Sequence, residues 1–421
     1  MKLGKEWGNL SMSKIKLTQT CSITTGKLDA NAAEENGIYP YFTCAPEPLK
    51  INTFAFDDDV ILLAGNNASG NFHCQRYTGK FNAYQRTYVI TANEGYDLDY
   101  IYYNLLINLQ ILKNHSQGSQ TKFLTMQILD AFEIEDIEIS AQKKISSVLS
   151  SIDAKIRNNN AINFELETLA KTIFDYWFLQ YEFPDSMGKP YKTNGGVFLR
   201  DEQIKGDIPI GWEVKNLSCF ILNSKNGDWG DENPIATDDI KINCFRGADF
   251  PCITENYVMT APIRYIRNSN ADRVLEDGDL VTEISGGSPT QSTGRIGYIN
   301  SEFLDRSENK MTCSNFCKAF TPTRKIYQFW LYQMWKTHYD SGIMFNFESK
   351  TTGIKNLMFD EFIKNVFVAC PDDELVAEYQ TICESYYATI QKNVKQNQEL
   401  SGLRDFLLPM LINGQVSVKD C

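Results

Sequence analysis

A chain of 421 residues and 48.0 kDa is too long for one hydrophobic core and predicts two or three domains. With 43% apolar and 22% charged residues it can build packed cores, and it has the composition of neither a disordered chain nor a fibre. Its 53 acidic residues outnumber 41 basic ones, and the resulting charge of −12 excludes a protein that coats nucleic acid without specificity. No segment approaches the ~20 apolar residues that cross a bilayer, and Met1–Leu10 lacks an apolar signal core, so membrane and export readings fall away. Eleven scattered cysteines then read as reduced thiols of a cytoplasmic protein. Cys313-x-x-x-Cys317 has no second ligand pair at zinc-finger spacing, and only three histidines exist, so no metal site is expected.

In chain order, the first distinctive segment is Val60–Asn93, which contains no carboxylate. Arg76, Tyr77, Lys80, Tyr84, Gln85 and Arg86 interleave there, the side-chain types that bind phosphates as cations and read base edges as amides or guanidinium forks. Gly65–Gly70 has the glycine spacing of a phosphate-binding loop, but Asn71-Phe72 stands where Lys-Ser/Thr must be, so it is read as a turn. A tyrosine-rich helical stretch follows (Leu98–Leu112), then a polar basic loop at Gly118–Lys122 and strand character at Ala131–Ile139.

From Ala141 to Phe178 there is no Gly or Pro, and Ile145, Leu149, Ile152, Ile156, Asn159, Asn163, Leu166, Ala170, Ile173 and Trp177 recur at alternating steps of four and three. This heptad seam predicts a helix about 57 Å long. Adding 234 gives a second seam that includes Tyr386, Asn393, Asn397 and Leu400. If the two helices run antiparallel, Asn159 faces Asn397 and Asn163 faces Asn393, whereas a slipped pairing strands buried amides at about 1–3 kcal/mol each. The alternative is that each helix packs on its own domain with its asparagines in solvent. Glu182–Gly196, rich in Pro and Gly, reads as a linker.

The second half repeats the first. Lys310–Phe320 matches Lys80–Ile90 at an offset of 230, and a four-residue indel accounts for the change to 234. Asn309–Tyr339 is a second acid-free window, Lys350–Lys355 a second basic loop, and Asn365–Cys370 a second segment of strand character. There is no Asp/Asn-Pro-Pro-aromatic segment to hold a flipped base and no dinucleotide-binding glycine motif. Asp185, Glu213 and Lys215 fit a loose metal-nuclease spacing, which leaves a metal-dependent nuclease as a remote alternative.

Ile23-Thr-Thr-Gly-Lys27, Tyr39-Pro-Tyr-Phe-Thr43, Phe81-Asn-Ala-Tyr-Gln-Arg-Thr87, Trp177-Phe178, Pro190-Tyr-Lys-Thr-Asn-Gly-Gly196, Ile208-Pro-Ile-Gly-Trp-Glu213 and Leu407-Leu-Pro-Met-Leu-Ile-Asn-Gly414 occur in an order that resembles the specificity (S) subunit of a type I restriction-modification system. The resemblance implies an α+β fold with two target recognition domains in a pseudo-twofold repeat, separated by a long antiparallel two-helix coiled coil. The expected division is residues 1–140 for the first recognition domain, 141–205 for the central helix and linker, 206–370 for the second recognition domain, and 371–421 for the C-terminal helix. It implies a non-catalytic subunit that reads a bipartite site in double-stranded DNA and docks two methyltransferase (M) subunits and restriction/motor (R) subunits. S-adenosylmethionine, ATP and Mg²⁺ are then expected on those partners and no cofactor in this chain. A specificity chain of a methylation-only or other defence system is the alternative. The DNA-facing regions of the family map here onto Lys27, Arg76, Tyr77, Lys80, Tyr84, Gln85, Arg86 and Lys122, and onto Arg295, Lys310, Lys318, Lys350 and Lys355 in the second domain.

Overall fold

The computed structural model describes residues 3–4, 13–118, 121–255, 259–286, 288, 290–351 and 354–418. The chain divides into two units, Met1–Lys155 with Leu400–Cys421, and Ile156–Glu399.

In the first unit, six strands form one sheet: β1 (Cys21–Thr25), β2 (Tyr39–Phe42), β3 (Leu49–Ile51), β4 (Phe56–Ala64), β5 (Cys74–Ala83) and β6 (Thr87–Ala92). Their order is β1-β6-β4-β5-β2-β3, antiparallel except for the β2–β5 pair. The run Val60–Leu63 is apolar without alternation because both of its faces are covered. Val60 and Leu62 join Phe42, Phe81, Ala83 and Val89 in a core, while Ile61 and Leu63 are buried on the opposite face. Helix α1 (Leu98–His115) packs against β4, β5 and β6, and its first turn is capped by the Asp97 carboxylate accepting from the Tyr100 N–H at 2.9 Å.

The second unit uses the same plan with one interruption. Its two main sheets are built from β7 (Ile221–Asn226), β8 (Ile240–Phe245), β9 (Ile263–Ile266), β10 (Leu280–Glu283), β11 (Ile296–Tyr298), β12 (Lys310–Cys313) and β13 (Cys317–Pro322). They form a four-stranded sheet β7-β13-β10-β11 and a three-stranded sheet β9-β8-β12. The long β5 of the first unit corresponds to β11 plus β12, which are parted by a segment containing the short helix Ser301–Leu304. Helix α3 (Gln328–Asp340) takes the place of α1, and both begin at positions 230 residues apart. Trp330, Leu331, Gln333, Met334 and Trp335 are buried just as Tyr100, Ile101, Tyr103, Asn104 and Leu105 are.

Two long helices pass through both units: α2 (Ile139–Phe174), extended by a π-helical turn at Asp175–Leu179, and α4 (Asp373–Ile412). They run antiparallel. Within the second unit Asn159 donates to Asn397 at 2.8 Å, Asn393 donates to Asn163 at 2.9 Å, and the Tyr379 hydroxyl donates to the Ala170 carbonyl at 3.0 Å. The Asn159 amide also reaches Gln396, and Asn397 donates to Asn160, so the pairing is a four-residue polar cluster. Within the first unit Arg404 reaches Asp153 at 3.0 Å, and Asp153 also accepts from the Tyr103 hydroxyl of α1. Ile152 is buried, Leu166 and Leu400 half-buried.

The heptad expectation is too narrow on α4. Tyr386 is only partly buried, whereas its neighbour Tyr387 is 3% exposed and packs against Tyr298, Phe329 and Tyr332. Helix α4 has two faces to bury, one on α2 and one on α3, and a single a/d seam describes only the first. The Glu182–Gly196 segment is also more than a loose linker. Phe183 stacks between Tyr191 and Trp212 with ring centroids 4.6 and 5.3 Å away, and Asp185 closes the turn by accepting from the N–H groups of Met187 and Lys189.

Candidate nucleic-acid interface

In the first unit, the turn Tyr84–Arg86 carries β5 into β6, and its backbone is held inward by four hydrogen bonds. The Tyr84 N–H donates to Phe42, the Gln85 N–H to Leu28, and the Thr87 N–H to Tyr84, while the Arg86 carbonyl accepts from Gly65, all within 2.8–2.9 Å. Two glycines make this possible. A Cβ on Gly26 would lie 1.8 Å from the Ala83 oxygen, and one on Gly65 would lie 2.2 Å from the Arg86 oxygen. With the backbone anchored, the side chains of Gln85 and Arg86 point outward, exposed and without a polar partner among the described residues. Lys27 follows Gly26 and is equally exposed and unpaired there. Lys122 joins the same edge, because the strand Lys122–Phe123 pairs with Asn66–Asn67 and the Leu124 N–H donates to Gly65. The fold thus gathers Lys27, Tyr84, Gln85, Arg86 and Lys122.

Three other residues of the same acid-free window are placed differently. The Arg76 guanidinium donates to Asp99 at 2.6 Å, Asp59 at 3.0 Å and the Val60 carbonyl at 2.7 Å. Burial disfavours its charge, yet the two carboxylates hold its pKa above the ordinary arginine value. Arg76 ties α1 to the sheet and has no free donor face for a phosphate. Tyr77 lays its ring against Phe42 and Phe81, and the Lys80 ammonium sits 4.7 Å over Phe54. The window lacks acids in sequence but not in space, since Asp59 and Asp99 flank it and fold back onto it.

The second unit rebuilds three of the turn's four bonds. Ser314 N–H donates to Phe245, Cys317 N–H to Ser314, and the Phe316 carbonyl accepts from Ile284, each at 2.8 Å. Gly227 replaces Gly26, with a would-be Cβ 1.9 Å from the Ser314 oxygen. At the exposed tip, Asn315 stands for Gln85 and Phe316, 54% exposed, for Arg86. Neither Asn315 nor Phe316 was among the residues expected at the interface. The 230-residue offset aligns them with Gln85 and Arg86, but Phe316-Cys317 departs from Arg86-Thr87, so the sequence does not carry the arginine's role across.

Most of the expected cations of this unit are committed elsewhere. Arg295 is bidentate to Glu283 at 3.0 and 3.2 Å and donates to the Gly247 carbonyl; its pKa is raised chiefly by the Glu283 hydrogen bonds. Lys318 donates to Asn226 and lies 5.1 Å over Phe359. Lys355 occupies the position of Lys122, opposite Gly286 as Lys122 is opposite Asn67, but it pairs with the buried Glu348 at 3.1 Å. Lys310 is exposed and unpaired among the described residues. The backbone of Lys350 pairs with that of Lys355, and its side chain lies outside the described residues.

Asp185 is occupied as a turn acceptor and by Asn194, and Lys215 pairs with Glu213 at 2.8 Å. Cys313 and Cys317 are buried thiols, and desolvation raises both pKa values, that of Cys317 to about 12. Among the described residues no group of three or more His, Cys, Asp or Glu side chains is placed to hold a metal, and no helix is long and apolar enough to cross a membrane.

Residues 10–168 match the family model of the type I restriction modification DNA specificity domain. The chain is similar to the type I restriction enzyme EcoDI specificity subunit of Escherichia coli, 38% identical over 152 residues, which span 35% of this chain and about a third (32%) of that relative. It is 23% identical over 346 residues to the MjaIX specificity subunit of Methanocaldococcus jannaschii, covering 79% of this chain and 72% of that one. Its fold matches the crystal structure of an S subunit from M. genitalium with a TM-score of 0.60 and 14% identity over 98% of this chain and 99% of the other. A repeated strand-and-turn frame on an antiparallel helix pair, a specificity-domain match over residues 10–168 and specificity subunits aligned along most of the sequence point the same way: the chain is similar in sequence to the type I restriction-modification specificity subunits and shares the fold of one.

Proposed function

We propose that this chain is the non-catalytic DNA-specificity subunit of a type I restriction-modification complex, with residues 1–140 and 206–370 each reading one half of a bipartite target. The observation that carries this reading is the repeated turn, whose backbone is held in both units by three corresponding hydrogen bonds while its tip side chains are left exposed. Amides and a guanidinium at such a tip recognise adenine and guanine edges in the major groove. The paired helices then set the number of base pairs between the half-sites.

The same helices supply docking faces for two methyltransferase subunits. On α2, Ile162, Leu169 and Tyr176 are exposed at heptad spacing, and on α4 Leu403 is exposed at the position equivalent to Leu169, each 46% accessible, with Phe406 59% accessible nearby. Apolar stripes of this kind are covered by helices in the assembled state. Catalysis, S-adenosylmethionine, ATP and Mg²⁺ belong to the M and R partners. With net charge −12, the lone chain neutralises few phosphates, and the partners provide most of that contact.

The test is to co-express the chain with its methyltransferase subunits and map modified adenines across the genome. A bipartite motif with a constant gap supports the reading. Magnesium-dependent cleavage by the lone chain overturns it, and tight sequence-specific binding with no partner present overturns the assignment of most phosphate contacts to the partners.

A further inference from the structure

We infer that the two units read their half-sites by different chemistry, the first through the Arg86 guanidinium and the second through an apolar contact made by Phe316 to a thymine C5-methyl group. This deepens the function proposed above and rests on it.

The turn hydrogen bonds show that Arg86 and Phe316 occupy the same place: each carbonyl accepts from the residue that ends or follows the partner strand, Gly65 or Ile284, and each precedes a buried residue, Thr87 or Cys317. A phenylalanine that is 54% exposed at a turn whose backbone is anchored on three sides stands outside the core clusters beneath it. The setting of Phe316 reinforces this. After the close-packed glycine, the first unit continues Lys27-Leu28, whereas the second continues Asp228-Trp229. Trp229 is 37% exposed, with the Arg264 guanidinium 4.8 Å over its ring. The backbone neighbours Asp228 and Cys313 tie this aromatic to the turn, through the Asp228 N–H donating to Cys313 at 2.8 Å. The nearby Lys355 is neutralised by Glu348. The edge of the second unit beside Phe316 is therefore aromatic, and that of the first cationic, with Lys27, Arg86 and Lys122 unpaired among the described residues. In the major groove the thymine methyl is the one apolar feature that identifies a base, whereas a guanidinium finds its bidentate partner in guanine. The exposed amide that precedes each residue, Gln85 or Asn315, is common to both halves and suits adenine.

The test uses the assembled complex with its methyltransferase subunits and a duplex library randomised in both half-sites, from which bound sequences are recovered. Wild type is expected to select a thymine in one half-site and a guanine in the other. Phe316→Ala should relax that thymine alone by about four-fold, the effect of one buried methyl. Arg86→Ala should relax the guanine of the other half. Deoxyuridine in place of the selected thymine should weaken wild type by the same factor and leave the Phe316→Ala complex unaffected, while Phe316→Leu keeps the preference. A Phe316→Ala complex that selects the wild-type motif, or one that relaxes the same half-site as Arg86→Ala, overturns the inference while a bipartite motif still stands. Failure of the wild-type complex to select any bipartite motif overturns the function itself.

Discussion

The two globular units share a hydrogen-bond frame around one turn and differ in nearly everything mounted on it. Gly26 and Gly227 admit the turn, Gly65 and Ile284 anchor its carbonyl, and Leu124 and Leu357 close the edge through bonds to Gly65 and Ile284. On that frame stand Lys27, Arg86 and an unpaired Lys122 in one unit, and Asp228, Phe316 and a neutralised Lys355 in the other. The fold separates what must be kept, backbone contacts with no room for a side chain, from what is free to vary.

The comparison breaks first at the glycines. Gly26→Ala and Gly227→Ala each place a Cβ inside a backbone oxygen's radius, so each should cost about 3 kcal/mol, read as a lowered urea midpoint at unchanged slope. A large loss in one half with none in the other would show that the frames are not equivalent. The helix repeat is the next point of attack. Asn159→Leu removes a donor to Asn397 and Gln396 and should destabilise by about 2 kcal/mol, and adding Asn397→Leu should recover part of that by removing the stranded amide.

A third difference separates the halves by pH. His338 on α3 packs against Phe362 with neither ring nitrogen paired among the described residues, and burial pulls its pKa to about 4. Asn108 fills the equivalent place on α1 and bonds back to the Asn104 carbonyl. The folded pKa of His338 lies below the unfolded value near 6.5, so the stability tied to its neutral form is complete above that pH. It is lost as pH falls toward 4, by at most about 1.4 kcal/mol per unit. His338→Phe should flatten this part of the stability profile. The smallest effect concerns salt. Lys122→Ala should reduce the slope of log K against log salt for the assembled complex by about 0.9, one phosphate's worth, whereas Lys355→Ala should scarcely change it because Glu348 already balances that charge.

Much of the architecture is legible in the residue string because its signals are periodic along the chain. The heptad steps of residues 145–177, their copy 234 residues later and the matched asparagines predict an antiparallel pair with Asn159 against Asn397, and the helices are arranged so. Position along a helix maps directly onto a face, and a buried amide tolerates few partners. The 230-residue offset likewise carries the turn from Tyr84–Thr87 to Ser314–Cys317. The seam on α4 is read less well, since a helix that buries two faces carries two overlapping periods, and Tyr387 belongs to the one set by α3.

Which cations remain available is decided by the tertiary structure alone. Asp59 and Asp99 close on Arg76, Glu283 on Arg295 and Glu348 on Lys355, across sequence separations from 7 to 23 residues that no local pattern marks. Sequence periodicity records which face of an element is buried; Coulomb attraction depends on distance in space, and only the folded sheet brings those carboxylates to their partners while leaving Arg86 uncovered.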